Sequence, residues 1–412
     1  MKLFQNPLKK SAPTYSVHVN NYSGEVKGIV RVQLQSEILP EEPVLFRLEV
    51  VSDGVSAQAQ KEVIPALAHE SWIALHSHLL PNGVCKLRWR AGDDAGEVVV
   101  KVKNEGGVAE IVRSALEGNA VDLFLLSPCD TSTYRFDDPR LVPWYDRDDC
   151  QQILDELLAC GKVTPEMEAP LRQFLEQGWL DLENHVDPEL LQRLNDDMDR
   201  AAAAGDSGFQ PGSSQRLQRM HLKYQSFWDL TTYKPTQAVI DQVMQVPSEV
   251  CQIIGFVNGT QQEPHQDTIH LTAFPRGYMC GAWVALEDVQ PDSGELTVYP
   301  GSHRWNVVTM SDAGIPKVAD GQWGRFGSTV VKRWQEMIDN GGIEPFIYRP
   351  KAGSLLIWHD RLMHGGSRRK NVELTRKSCV THHFARGSLV YYDSTGLPGR
   401  VIDRAEGRKF SG

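Results

Sequence analysis

Four consecutive residues, Pro264-His265-Gln266-Asp267, are answered 99 positions later by His364 in Leu362-Met363-His364-Gly365-Gly366. His-x-Asp with a distant second His offers two imidazoles and one carboxylate. That donor set suits a non-haem iron(II) centre that keeps open positions for a co-substrate and dioxygen. A lone His-x-Asp says little, because most such triplets bind nothing. Here the triplet follows strand and turn signals, and the second His ends another strand-like run. Arg376, a residue able to hold a carboxylate, comes twelve positions after that His.

The elements that must position these groups read as β-strands. Residues two apart on a strand point to one face, so His265 and Asp267 can address one metal. The run Val250–Val257 has strand composition, and Asn258-Gly259 predicts a tight hairpin turn, which places the pair at the start of the returning strand. Gly353 opens a second run, Leu355-Leu356-Ile357-Trp358, that leads to His364. Two hairpins facing each other across a small barrel would bring the three groups together.

In order along the chain, Gln261–His270, Gly281–Asp288, Pro300–Arg304 and Gly353–Arg368 resemble the phytanoyl-CoA dioxygenase family over roughly the last 240 residues. The resemblance implies a double-stranded β-helix (cupin-like jelly roll) that uses Fe(II), 2-oxoglutarate and O2. It implies His265, Asp267 and His364 as iron ligands and Arg376 as the anchor for the distal carboxylate of 2-oxoglutarate. A guanidinium suits that role, because it stays charged and holds a carboxylate through two parallel hydrogen bonds. Ser378, two residues on, would add a third. Gln266 and Trp283 match family positions lining the co-substrate pocket; for Trp283, ordinary core packing is the alternative. Halogenating relatives lack the carboxylate ligand, so Asp267 argues for hydroxylation, with release of succinate and CO2.

Arg368 and Arg369 compete with Arg376 as the anchor. Strand alternation within Thr375–Phe384 favours Arg376, which shares a face with Ser378 and Val380, whereas Arg368-Arg369-Lys370 reads as a solvated turn. His270, His303 and His359 are expected in structural roles, and of His382-His383 at most one can face the barrel interior.

Composition bounds the rest. A 412-residue chain suggests two domains. Its net charge of −10 gives no reason to expect nucleic acid or an anionic membrane as partner. Seven scattered cysteines without a C-x-x-C pair read as free, mostly buried thiols of a reducing compartment. The first ten residues lack the apolar core of a signal peptide, and no apolar run is long enough to span a bilayer. The expected location is cytoplasmic.

The organisation reads as tripartite. Residues 1–105 form a small all-β sandwich of six or seven strands, with alternation at Val30/Val32/Leu34 and Phe46/Leu48/Val50. It resembles accessory β-domains found beside glycosyltransferases, without a diagnostic residue. Residues 106–150 form a connector with a short helix near Ala109–Leu116. Residues 151–412 carry the catalytic domain, with a core at about 168–390. Three helices lead it: Gln151–Cys160, one opened by Thr164-Pro165, and one opened by Asp187-Pro188. An insertion at about 305–348 is either a lid over the iron, with Gln215–Tyr224 as a further wall, or a decoration on the outside of the barrel.

Two other functions stay open: a cupin-type metal enzyme that does not use 2-oxoglutarate, and a non-catalytic glycan- or partner-binding protein. The substrate is expected to be a small molecule, a lipid or a carrier-linked glycan, with Arg276 and Tyr391-Tyr392 as candidate contacts. Oligomeric state is not legible.

Overall fold

The computed structural model describes residues 14–20, 25–68, 70–319 and 321–402, so the N-terminal decapeptide read for a signal sequence lies outside the described residues. The fold is mainly β with several helices and divides into two compact units, 1–103 with 122–128, and 104–121 with 129–412. The stretch 106–150 therefore contributes to both.

In the first unit a four-stranded and a five-stranded sheet share one core. The alternation read from sequence has a direct structural cause. Val30, Val32 and Leu34 of strand Ile29–Ser36 meet Phe46, Leu48 and Val50 of strand Val44–Ser52, while Arg47 and Glu49 between them face solvent. Nine strands are present among the described residues, two more than the upper expectation; Glu25–Val26 and Phe124–Leu125 are too short to show a period.

The second unit is built on a six-stranded antiparallel sheet. Its order is Trp179–Leu182, Leu355–His359, Met279–Ala285, Ser378–Ala385, Ser248–Phe256 and Leu217–Gln218. A three-stranded sheet, Phe346–Tyr348, Leu296–Val298 and His364–Gly366, shares its core: Phe256, Trp283, Leu356 and Val380 pack with Leu296, Val298 and Tyr348. The helices begin and end as their caps dictate. The Asp187 carboxylate accepts from the N–H groups of Glu189 and Leu190, Pro188 takes the first turn, and helix Pro188–Ala203 buries Leu190, Leu194 and Met198. Helix Glu168–Gln177 stops at Gly178, whose φ of 83° favours glycine and whose missing Cβ would lie 2.5 Å from the His303 ring.

Three local expectations need correction. Asn258-Gly259 does not close a hairpin: Gly259 packs against the backbone of Gly294, where a Cβ would come within 2.4 Å, and strand Ser248–Phe256 pairs with distant segments instead. The His265/Asp267 pair is accordingly not on a strand. His265 forms an isolated bridge with His364, and Asp267 opens a 3-10 turn, Asp267–Ile269. Arg376 precedes rather than joins its strand, which begins at Ser378; its N–H donates to Val257 O at 2.9 Å.

The insertion holds a short helix, Met310–Ala313, and a longer run of helical backbone through Gly324–Phe326, a π-turn at Gly327–Val331, and Lys332–Gly341. Its apolar side (Phe326, Val330, Trp334) packs on Ile269 and Met363, each next to or near a candidate ligand. No described helix is long and apolar enough to cross a membrane.

Candidate metal centre

A backbone device holds the two imidazoles at a fixed separation. His265 N–H donates to His364 O (2.9 Å), and His364 N–H donates to His265 O (3.1 Å), which leaves the rings 4.4 Å apart. Each ring is then fixed in one tautomer. His265 Nδ1 lies 2.9 Å from Glu263 O and His364 Nδ1 lies 2.9 Å from Leu362 O. A carbonyl only accepts, so both Nδ1 atoms carry the proton and both Nε2 atoms present a lone pair, that of His265 accepting from Gln262 Nε2 at 3.1 Å. Such outer partners orient metal-binding histidines and raise their basicity.

Asp267 completes the set. One donor atom from each of His265, Asp267 and His364 lies within 4.8 Å of the others, and all three residues are buried. Trp358 Nε1 donates to Asp267 Oδ2 at 2.8 Å, and Oδ1 stands 3.5 Å from His265 Nε2. Trp358 reaches across because its strand neighbour is Gly281, where a Cβ would sit 2.2 Å from the indole. Burial works against ionisation of Asp267, but His364, His265 and His382 around it outweigh burial and hold its pKa well below the ordinary range. Burial pushes His364 down to about 4, against the pull of Asp267. At neutral pH the site thus offers an anionic carboxylate at Asp267 and a neutral imidazole at His364, forms that bind a divalent cation.

The three groups open onto a cavity of about 420 Å³ whose lining includes Phe256, Trp283, Trp323, Arg376, His382 and Tyr392. That volume is in the range of small-molecule sites. Arg376 is 3% exposed, its Nε has no partner, and Phe256 and Trp283 flank its guanidinium at 5.9 and 5.5 Å. Burial lowers its pKa to about 10, with Glu287 and Glu295 opposing, so it remains a cation. Ser378 is fully buried with an unpartnered Oγ.

Other residues singled out from sequence fall elsewhere. Gln266 does not reach the cavity: its amide donates to Asn306 O and Arg361 O and accepts from Val308 N–H, which ties the ligand loop to the insertion. Arg368 is exposed, and the Arg369 guanidinium is bound by the carbonyls of Gly212, Val372 and Leu374. Of the histidine pair, His382 lines the cavity, with Nε2 3.4 Å from Asp267 Oδ2, and His383 points away to Thr381 Oγ1. His270 also lines the cavity, with Nδ1 3.2 Å from Ser394 Oγ and outside the cluster of candidate ligands. Tyr392 reaches the cavity, whereas Tyr391 is buried on Thr131 and Arg276 lies outside the lining. Arg216 and Gln262 also line the cavity; neither was singled out as a site residue from sequence, although Arg216 falls in Gln215–Tyr224, the segment expected as a further wall, and Gln262 in the family-like segment Gln261–His270.

The His-Asp-His cluster of this mainly β unit, opening onto a cavity, could hold a metal ion. Residues 174–378 match the family described as Phytanoyl-CoA dioxygenase (PhyH), and through this segment the chain belongs to that family. Among curated proteins, phytanoyl-CoA dioxygenase domain-containing protein 1 of Danio rerio is 47% identical over 50 residues, 12% of this chain and 17% of that protein. The Mus musculus protein of the same name is 32% identical over 92 residues, 21% of this chain and 32% of its own length. The chain thus spans about a third or less of these relatives. Among solved structures, the non-heme alpha ketoglutarate dependent carbocyclase SnoK from nogalamycin biosynthesis is similar with a TM-score of 0.45 and 14% identity, over 59% of this chain and 94% of that one. EctD from S. alaskensis gives a TM-score of 0.43 and 17% identity, over 58% and 84%. At such values the likeness does not extend to function.

Proposed function

We propose that the protein is a non-haem iron dioxygenase that uses 2-oxoglutarate and O2 and hydroxylates a C–H bond of a small-molecule, lipid or glycan-linked substrate. The observation that carries this reading is one cavity with two separate features: three donor atoms within 4.8 Å of one another, and a buried guanidinium with an unpartnered Nε. Folding alone gives no reason to bury either. The residues fit the groups the family implies. His265, Asp267 and His364 would hold Fe(II) through Nε2, a carboxylate oxygen and Nε2, and Arg376 with Ser378 Oγ would hold the distal carboxylate of 2-oxoglutarate.

When bound, iron and 2-oxoglutarate supply the oxidising chemistry, in which the keto acid is split to succinate and CO2 as the substrate is oxidised. The chain supplies position and environment. Trp358 fixes the carboxylate, and the Glu263 and Leu362 carbonyls fix the imidazoles. Trp283 and Phe256 sandwich Arg376 and exclude water from its charge, which strengthens its hold on an anion.

The wider architecture reads in the same way. The six-stranded and three-stranded sheets are best taken as a double-stranded β-helix, supported by their antiparallel order and shared core. The first unit is best taken as a small β-sandwich accessory domain, with 106–150 as a connector and 305–348 as a cover over the site. Trp323 on the cavity and Trp334, 6.2 Å from the His265 ring, support the last point. Seven free cysteines, six of them buried, support a reducing, cytoplasmic location.

Anaerobic titration of Fe(II) and then 2-oxoglutarate into the metal-free protein tests the assignment. A visible metal-to-keto-acid charge-transfer band in wild type, lost in Asp267→Ala, is expected. Stoichiometric metal binding without a band would point to a metal enzyme of another kind, and no metal binding would remove the oxygenase reading.

A further inference from the structure

The cavity contains a second guanidinium for which the reading above has no use. Arg216 immediately precedes the short edge strand Leu217–Gln218, whose pairing with Gly255 and Ile254 fixes its backbone. Its side chain lines the cavity and donates through Nη2 to Gln262 Oε1, a neutral acceptor, and no carboxylate accepts a hydrogen bond from it among the described residues. Burial lowers its pKa, with Asp267 opposing. Desolvating a guanidinium against one neutral amide is unfavourable unless an anion completes the site.

The charges in the cavity point to where that anion comes from. Asp267 is the sole carboxylate among the described residues that line it, against two guanidiniums. With the metal and the keto-acid dianion held as described, their charges, that of Asp267 and that of Arg376 cancel. Arg216 is left without a counterpart. Gln262 does not change this. Its Nε2 donates to His265 Nε2 at 3.1 Å, a lone pair that a metal would take, so metal binding leaves Gln262 with Arg216 alone.

The surroundings of Arg216 differ from those of Arg376. Arg376 lies between Phe256 and Trp283, whereas Arg216 acts on His270, whose ring stands 5.7 Å from that of Trp323. Trp323 lines the cavity while 44% exposed, a large indole face with room beside it.

We propose that Arg216 receives an anionic group, a carboxylate or a phosphate, on the substrate of this cavity, while Trp323 carries the flat or apolar body beside it. The volume admits a small molecule, or the acidic end of a larger one. The inference rests on the oxygenase reading for the chemistry but not for anion binding, so the two can fail separately.

The test uses the full chain and matched probes, namely phenylacetate, phenyl phosphate and the neutral phenylacetamide. Their affinities are measured by calorimetry and Trp fluorescence, without metal and with Ni(II) plus 2-oxoglutarate. Wild type should prefer one or both anions over the amide by about tenfold to a hundredfold, the effect of charge-assisted hydrogen bonds. Arg216→Gln should abolish the preference and Arg216→Lys should keep part of it, with melting temperatures reporting intact folding. Which anion gains more separates carboxylate from phosphate. The charge-transfer titration runs alongside, and Arg216→Gln should leave the 2-oxoglutarate affinity within a few-fold of wild type. The proposal is overturned if wild type does not discriminate, if Arg216→Gln still does, or if that variant loses 2-oxoglutarate, which would make Arg216 a co-substrate residue. An Arg216-dependent preference in a protein that gives no charge-transfer band would sink the oxygenase reading and leave the anion site standing.

Discussion

Replacing Arg376 by Met separates an anchor that waits for a ligand from one that holds up the fold. The guanidinium is 3% exposed, its Nε is unpartnered, and burial lowers its pKa by more than two units, to about 10. A descent of that size corresponds to roughly 3 kcal/mol of unfavourable desolvation, at about 1.4 kcal/mol per pKa unit. Against this stand the stacking contacts with Phe256 and Trp283, worth about 0.5–2 kcal/mol together. Met keeps most of the apolar packing. Arg376→Met should therefore leave the apo-protein as stable as wild type, or more stable by about 1–2 kcal/mol. Binding should move the other way. Losing charge-assisted hydrogen bonds to a buried carboxylate costs about 3 kcal/mol, which weakens 2-oxoglutarate by about a hundredfold. Thermal or urea unfolding without ligand gives the first quantity, and the charge-transfer titration gives the second. A variant destabilised by more than about 2 kcal/mol that binds 2-oxoglutarate normally would refute the reasoning and make Arg376 a structural residue.

Trp358→Phe removes the N–H that holds Asp267 Oδ2 and should weaken metal binding by about tenfold to a hundredfold in a competition titration. Gly281→Ala, by pushing the indole aside, should do the same, and unchanged affinity in both variants would show that the carboxylate needs no support. Lys317 joins Asp130 (2.5 Å) to the buried Asp393 (2.7 Å), which also accepts from Met310 N–H, so Lys317→Ala should cost about 2–4 kcal/mol and speed proteolysis within the insertion. Equal cleavage rates would remove Lys317 as its tether. Burial, with His382 adding, pushes His383 down to about 3, below its unfolded value near 6.5. The unfolded chain therefore takes up a proton first, and stability, full above pH 6.5, falls on acidification by about 2 kcal/mol at pH 5. His383→Gln, which can still bond Thr381, should flatten that decline in urea unfolding, and an identical slope would assign the loss to other groups.

The parts of this site that were legible are those where residue type alone restricts the chemistry. Two histidines and an aspartate, spaced around strand-like runs, suggest a metal cluster by residue type, and the structure brings those three together. Strand alternation favoured Arg376 over Arg368 and Arg369, and Arg376 lines the cavity although it lies just outside the strand, its N–H donating to Val257 O. The route to the cluster was not legible. A His-x-Asp on a strand and one on a bridge followed by a 3-10 turn have the same sequence, and the choice was made by the reciprocal hydrogen bonds with His364, 99 residues away. The insertion was hard to read for a related reason. Gly324 and Gly327 lower intrinsic helix propensity, yet packing of Phe326, Val330 and Trp334 on Ile269 and Met363 carries helical backbone through both. Arg216 shows the limit most clearly. It follows a polar segment rich in Gly and Ser, in a stretch read only broadly as a wall (Gln215–Tyr224), and becomes a cavity residue because a two-residue edge strand docks beside Gly255. Ligands to a metal announce themselves in sequence because few residue types can do the work. A residue that selects the substrate is one arginine among many, and only the folded chain shows what it faces.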